Sequence, residues 1–416
     1  MKIGIQTWGS TGDCRPMFVL AKKLKQAGCD VQMAVTCLAG HGFEKEATDL
    51  GIEWIGAPKD IELSDADFHK TFGEACSDLV LLHRLLKNGY FPFEEHMMQA
   101  SEILARDSDV LIQHFMCHTL RIAAIKHNLP CVSVHFWPGS LSTRNSAPYP
   151  LPNLGTYCNQ ILWNRAHDLL NFLFQKQFSK MAKQMGVPMA RFWPDWWTSK
   201  ELTLIACSQN LWPKEPDWPE SFFACGFLDD SVESGEIPED LKQFLENGEP
   251  PVLFSFGSMG YLNASRRQEF MENIMQNTPC RFLAQLCDKD QPTGSSDGKI
   301  YRFLRLPHAS LFPHCVAAIH HGGAGTTHSV LKAGLPAMVI SFCEEQYSWG
   351  LQVHKMGVGP RPFRYKNIGT KDLSRQILEL TRNTSYKTEA IRLSENMNME
   401  SGVNQAITKI KSLSRW

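Results

Sequence analysis

The chain has 416 residues, 43% of them hydrophobic and 20% charged, with a formal net charge of −1 at pH 7. This length suggests two to three domains, each able to bury its own core, and the near-zero charge gives no electrostatic reason to expect nucleic acid as a partner. No apolar run reaches the ~20 residues of a membrane span, and the opening MKIGIQTWGSTGD lacks the order of a secretory signal, so a cytoplasmic protein is expected. The 13 cysteines form no CxxC pair, which argues against structural zinc and against a disulfide framework.

In chain order, residues 2–7 read as a short buried strand and residues 9–15 as a turn, after which Pro16 is a favoured first helical residue. Met17, Leu20, Ala21 and Leu24 recur at helical spacing until Gly28 ends the run, and residues 31–35 are the next strand. Strand, turn, helix, strand is the βαβ unit of a parallel sheet. Further strands are predicted at 109–115, 131–136 and 201–207, with a helix over 119–127, which makes the first half a doubly wound α/β domain. Residues 137–164, rich in Pro, Asn, Ser and Gly, are expected to be an irregular substrate loop. The composition shifts over 212–219, and 229–240 is acidic and polar, as a linker would be. From residue 251 the alternation restarts, with strands at 251–256, 281–286, 316–320 and 335–341, giving a second α/β domain. Ala406, Ile407, Ile410 and Leu413 share one helical face that needs something to pack against.

The most specific signal is Ala318 to Thr327, AIHHGGAGTT, where an apolar strand runs into a glycine-rich turn that opens a helix. Glycines let the backbone approach a ligand, and the free N–H groups and dipole of a helix N-terminus favour a phosphate. The turn has neither GxGxxG spacing nor a P-loop lysine, which weighs against hydride transfer and NTP hydrolysis. A turn whose glycines serve packing alone is the alternative.

HHGGAGTT, with Ala333-Gly334-Leu335-Pro336 and the run Phe342 to Gly350 after it, resembles the donor-binding segment of the sterol and antibiotic glycosyltransferases. Residues 250–260 resemble the start of that family's C-terminal domain, and Gly9 to Asp13 with Pro16 resembles its N-terminal loop. The resemblance implies an α/β GT-B fold: two Rossmann-like doubly wound parallel-sheet domains facing across a cleft. It places an acceptor-binding domain at 1–225, a linker at 226–240, a nucleotide-sugar-binding domain at 241–395, and a final helix at 396–416 that returns to the first domain. It further implies that Ser258 and the turn His321, Gly322, Gly323, Ala324, Gly325 and Thr326 hold a diphosphate, and that the loop 305–312 lies beside the base. Ser10 and Gly12 are candidates to approach the same diphosphate. Glu345-Gln346 stand where the family usually has Asp-Gln for the sugar hydroxyls, and the longer acid leaves the identity of the sugar open.

Asp13 is the candidate general base, since an alcohol acceptor must lose its proton as it attacks; helix capping is its competing role. His114, His118 and His135 fall near strand ends in the first half and are weaker candidates for the acceptor side. The aromatic run Arg191 to Trp197, with Trp212 and Trp218, suggests an acceptor pocket, a peripheral membrane contact or core packing. The expected activity is a metal-independent, inverting hexose transfer without a cofactor. Glucose from UDP-glucose would pass to a hydroxyl of a lipophilic small molecule such as a sterol, terpenoid or polyketide. The alternatives are an antibiotic-type enzyme using a dTDP-sugar, and a GT-B-fold epimerase or hydrolase of the nucleotide sugar.

Overall fold

The structure is a computed structural model that describes residues 1–37, 43–56, 78–229, 235–261, 264–286, 293–295, 297–304 and 306–413. The chain divides into two compact units, one built mainly from residues 1–64, 83–229 and 401–416, the other mainly from residues 230–400.

In the first unit the described strands are β1 (Lys2–Gly9), β2 (Asp30–Cys37), β3 (Glu53–Trp54), β4 (Val110–His114), β5 (Cys131–His135), β6 (Leu202–Ile205) and β7 (Phe222–Ala224). They form one parallel sheet in the order β3-β2-β1-β4-β5-β6-β7, with Ile3 aligned to Val31 on one side and to Val110 on the other. The second unit repeats the plan with β8 (Val252–Ser255), β9 (Phe282–Gln285), β10 (Ile300–Phe303), β11 (Ala317–His320), β12 (Ala337–Ser341) and β13 (Phe363–Arg364), ordered β10-β9-β8-β11-β12-β13. Helices cover both faces of such a sheet, so the central strands are buried throughout and read as apolar runs such as VLFS and AMVIS. In both sheets the order reverses between the first and fourth strands, leaving a crevice at their carboxyl ends where ligands bind in open α/β sheets. Phe254, Phe256, Phe282, Ile319 and Met338 centre the second core.

One sequence expectation changes. Residues 137–164 are not irregular throughout, because a helix begins at Thr156 and runs to Gln184, burying Trp163, Phe174, Phe178 and Met181 at helical spacing. The Pro- and Asn-rich approach masks that start, and Asn159 ties it down by donating to Arg144 O and accepting from the Leu154 N–H. The 212–219 segment, where the composition shifts, is part of the first unit: Asp217 accepts from the Thr143 hydroxyl at 2.6 Å and the Arg144 N–H at 2.7 Å, and the Trp218 indole donates to Ser142 O. Trp196 and Trp218 are buried, so their rings pack inside rather than offering a membrane surface. The final helix, Gly402–Ser412, buries Val403, Ala406 and Ile410 within the first unit, and Lys411 Nζ donates to Ala27 O at 2.7 Å.

Candidate functional site

The candidate site of the first unit lies where β1 and β4 end side by side. Ser10 caps the helix Thr11–Gln26, and Asp13 sits in its first turn. The Asp13 carboxylate folds back, its Oδ2 accepting from the Ser10 backbone N–H and the Ser10 hydroxyl, each at 2.8 Å. Gly9 permits this: its φ is +133°, and a Cβ there would meet Asp13 Oδ2 at 2.5 Å. The carboxylate therefore fills a capping role and remains available to a ligand, with 37% of the side chain exposed. Removal of its surroundings from water raises its pKa above 3.8, against the opposing pull of the two Ser10 hydrogen bonds. The Ser10 hydroxyl donates a hydrogen bond to Asp13 and so orients the carboxylate, while Gly12 is exposed.

His114 ends β4, and its Nε2 lies 3.7 Å from Asp13 Oδ1, beyond hydrogen-bond distance. The ring is 1% exposed, neither nitrogen has a hydrogen-bond partner, and burial pushes its pKa down to about 3. It is a neutral imidazole beside a carboxylate, enclosed by Phe115 and Phe136 with ring centroids at 4.6 and 5.6 Å. The other two histidines have structural partners. His135 meets Ser140 Oγ and Trp197 O, while His118 lies between the Tyr90 hydroxyl and Glu94 Oε1, each at 2.8 Å. Only His114 of the three has polar capacity left for a ligand.

The candidate site of the second unit occupies the equivalent place in its own sheet, between β8 and β11. Gly257 follows β8 with φ +55°, and His321 follows β11; Cβ atoms on Gly257 and Gly323 would lie 3.0 Å and 2.5 Å from the His321 ring. The imidazole thus sits between the two loops and fixes their spacing. Gly322, at φ +89°, donates its N–H to His320 Nδ1 at 3.1 Å. A Cβ there would strike Gln346 O at 2.6 Å and Val339 Cγ1 at 2.7 Å. Gly322→Ala is therefore expected to destabilise the protein by about 1–3 kcal/mol, read as a lowered thermal midpoint.

Gly323 caps the helix Ala324–Lys332, whose first-turn N–H groups on Ala324, Gly325 and Thr326 point out of the helix with its positive dipole end. His321 is buried and neutral: burial first, then His308 and Arg267, pushes its pKa down to about 4, and its Nδ1 has no hydrogen-bond partner. Arg267 was not singled out from the sequence, where it is one of two adjacent arginines. In the fold it is 4% exposed and lies over the Phe342 ring at 4.2 Å, adding positive potential beside the turn. Glu345 and Gln346 open the helix Glu344–Lys355 after β12. Gln346 Oε1 accepts from the Phe342 N–H at 2.8 Å, which leaves its amide N–H groups for a ligand. The side chain of Ser258, and Arg305 in the predicted base-side loop, lie outside the described residues. Among the described residues no cluster of His, Cys, Asp and Glu is arranged to hold a metal ion.

Residues 289–413 match the family model "Erythromycin biosynthesis protein CIII-like, C-terminal domain". Along 98% of its length the chain is 24% identical to Sterol 3-beta-glucosyltransferase UGT80A2 of Arabidopsis thaliana, of which it spans 64%. It is 23% identical over 99% of its length to O-mycaminosyltylonolide 6-deoxyallosyltransferase of Streptomyces fradiae, of which it covers 97%. The solved structure of the glycotransferase of kitacinnamycin superposes with a TM-score of 0.70 at 16% identity, covering 99% of this chain and 98% of the other. The chain is a homologue of the sterol and antibiotic glycosyltransferases and shares their GT-B fold. In this GT-B protein one rule applies to each unit by itself: Asp13 and His114 flank the strand-order reversal of the first sheet, and Gly257 and His321 that of the second.

Proposed function

We propose that the protein transfers a hexose, glucose from UDP-glucose, to a hydroxyl of a lipophilic small molecule, with inversion at the anomeric carbon and without a metal or other cofactor. The observation that carries this reading is the neutral His321 set between two glycine loops at a helix N-terminus, with Arg267 close by. Such a site favours a diphosphate and stabilises the charge that develops as the nucleoside diphosphate leaves. His321 contributes one ring N–H, and the first-turn N–H groups of Ala324, Gly325 and Thr326 contribute the rest.

Asp13 takes the proton of the acceptor hydroxyl as that oxygen bonds to C1 of the sugar and the C1–O bond to the diphosphate breaks. One displacement on the face opposite the leaving group turns an α-linked donor into a β-glycoside. Glu345 and the amide N–H groups of Gln346 are assigned to the sugar hydroxyls, with Ser258 and Gly12 near the diphosphate. Glutamate at 345, together with a relative named for a deoxyallosyl transfer, supports a dTDP-deoxysugar as the alternative donor. The name of the plant relative supports a sterol-like acceptor.

The test is nucleoside diphosphate release by purified protein from UDP-glucose and from dTDP-sugars, with and without sterols, macrolides and phenolics, followed by product mass. Acceptor-dependent release with a one-hexose gain in mass is the expected result. Release at the same rate without any acceptor, leaving free sugar, would identify a hydrolase instead.

A further inference from the structure

The helix Thr156–Gln184 buries one side in the first unit and leaves the other bare. On the bare side Phe172 is 87% exposed and Tyr157 78%, while Ile161, Leu169 and Leu173 are between 42% and 47% exposed. At the helical repeat these five fall within an arc of about 160°, and the turn before the helix adds Leu154 at 58%. Isolated exposed apolar residues are ordinary on a protein surface, but a contiguous stripe is a mark of an interaction site.

The charges around the stripe indicate what it meets. Arg165, Lys176 and Lys180 are exposed within the same arc, and Lys183 follows, against Asp168 as the single acid of the helix. The chain as a whole carries a net −1, so this helix is a basic island. A second copy docking by the same face would set lysines against lysines with almost no acid to answer them. An anionic surface complements them.

We propose that this face docks on an anionic lipid bilayer, the helix lying in the plane of the headgroups with Tyr157, Phe172 and their aliphatic neighbours entering the acyl boundary. The basic side chains then meet lipid phosphates and carboxylates. Because Arg165, Lys176 and Lys180 share the arc with the apolar residues, their long side chains extend to the headgroups while the rings enter beneath them. No described helix is long and apolar enough to cross the membrane, so the contact is peripheral.

Cys158 is free and exposed on the same face and accepts a polarity-sensitive nitrobenzoxadiazole label. The protein is mixed with vesicles of phosphatidylcholine and phosphatidylserine, or of phosphatidylcholine alone; co-sedimentation and label emission are read, with Cys158→Ser as the labelling control. The expected result is sedimentation with the anionic vesicles, weakened by salt, with a blue shift of the label. Partitioning is expected to fall about tenfold or more in Lys176→Glu/Lys180→Glu. Phe172→Ser/Leu173→Ser should lose the blue shift while keeping its far-UV circular dichroism. No binding to either vesicle, or binding unchanged in both double variants, overturns the proposal. A vesicle-independent blue shift that grows with protein concentration and tracks a dimer mass would assign the face to a second copy. The assay contains no sugar donor, so its outcome is independent of the proposed transfer.

Discussion

Asp13→Asn is expected to lower the transfer rate by about 10²–10⁴-fold while leaving donor affinity near that of the parent, the usual contribution of a positioned general base. The substitution is informative because of what it preserves. An asparagine carbonyl can still accept from the Ser10 N–H and hydroxyl, so the first turn of the helix stays capped and only the basic site is lost. A residue needed for capping alone would show a parental rate in Asp13→Asn and reduced stability in Asp13→Ala. The pH profile gives a second readout. Because burial raises the Asp13 pKa, the acidic limb of the rate should lie above that of a free aspartate, with the rate falling as pH drops through it, and that limb should vanish in the variant. His114, 3.7 Å away and neutral, is a second polar group beside Asp13.

Acidification is expected to unfold the protein well before its carboxylates are all protonated. His114, His135 and His320 have pKa values pushed down to about 3 by burial, and His321 and His328 to about 4, so all five are neutral in the fold. Unfolded, each returns to about 6.5. Between those limits the unfolded chain binds more protons than the folded one, so stability is intact above about pH 6.5 and is lost progressively as pH falls toward the folded values. At pH 5 the loss is about 2 kcal/mol for each histidine, and a few such contributions match the 5–15 kcal/mol of a typical domain. Asp13, with its raised pKa, acts in the opposite direction and offsets a small part. Urea midpoints followed by tryptophan fluorescence at neutral pH and near pH 5 will show the trend, and His328→Gln should flatten it by one proton's worth. A midpoint independent of pH over that range would mean that these rings are not held neutral.

Much of the candidate site is legible in the chain because its determinants are local. The His321 to Thr326 turn announces itself through glycine spacing, since the φ of Gly322 and the close approach at Gly323 must be met by residues within a few positions. Asp13 is legible for the same reason, set in a short glycine-flanked turn between a strand and a helix. Gln346 shows the limit of such reading: its place in the motif is evident, but that its carbonyl oxygen is held by the Phe342 N–H depends on how the helix turns away from β12.

The sequence by itself determined the class of fold and the glycine turn after β11, because alternating apolar strands, helical periodicity and glycine positions act over a few residues each. Only the tertiary structure decided which distant groups share a site. His114 stands 101 positions after Asp13 and reaches it because β4 pairs with β1 rather than with β3, the strand before it in sequence. Arg267 joins His321 through the packing of its helix against Phe342, and the 29-residue helix from Thr156 emerges only once its buried stripe has a core to meet. Strand order, burial and the loss of water around a side chain are properties of the assembled sheet. No short window of the chain contains them.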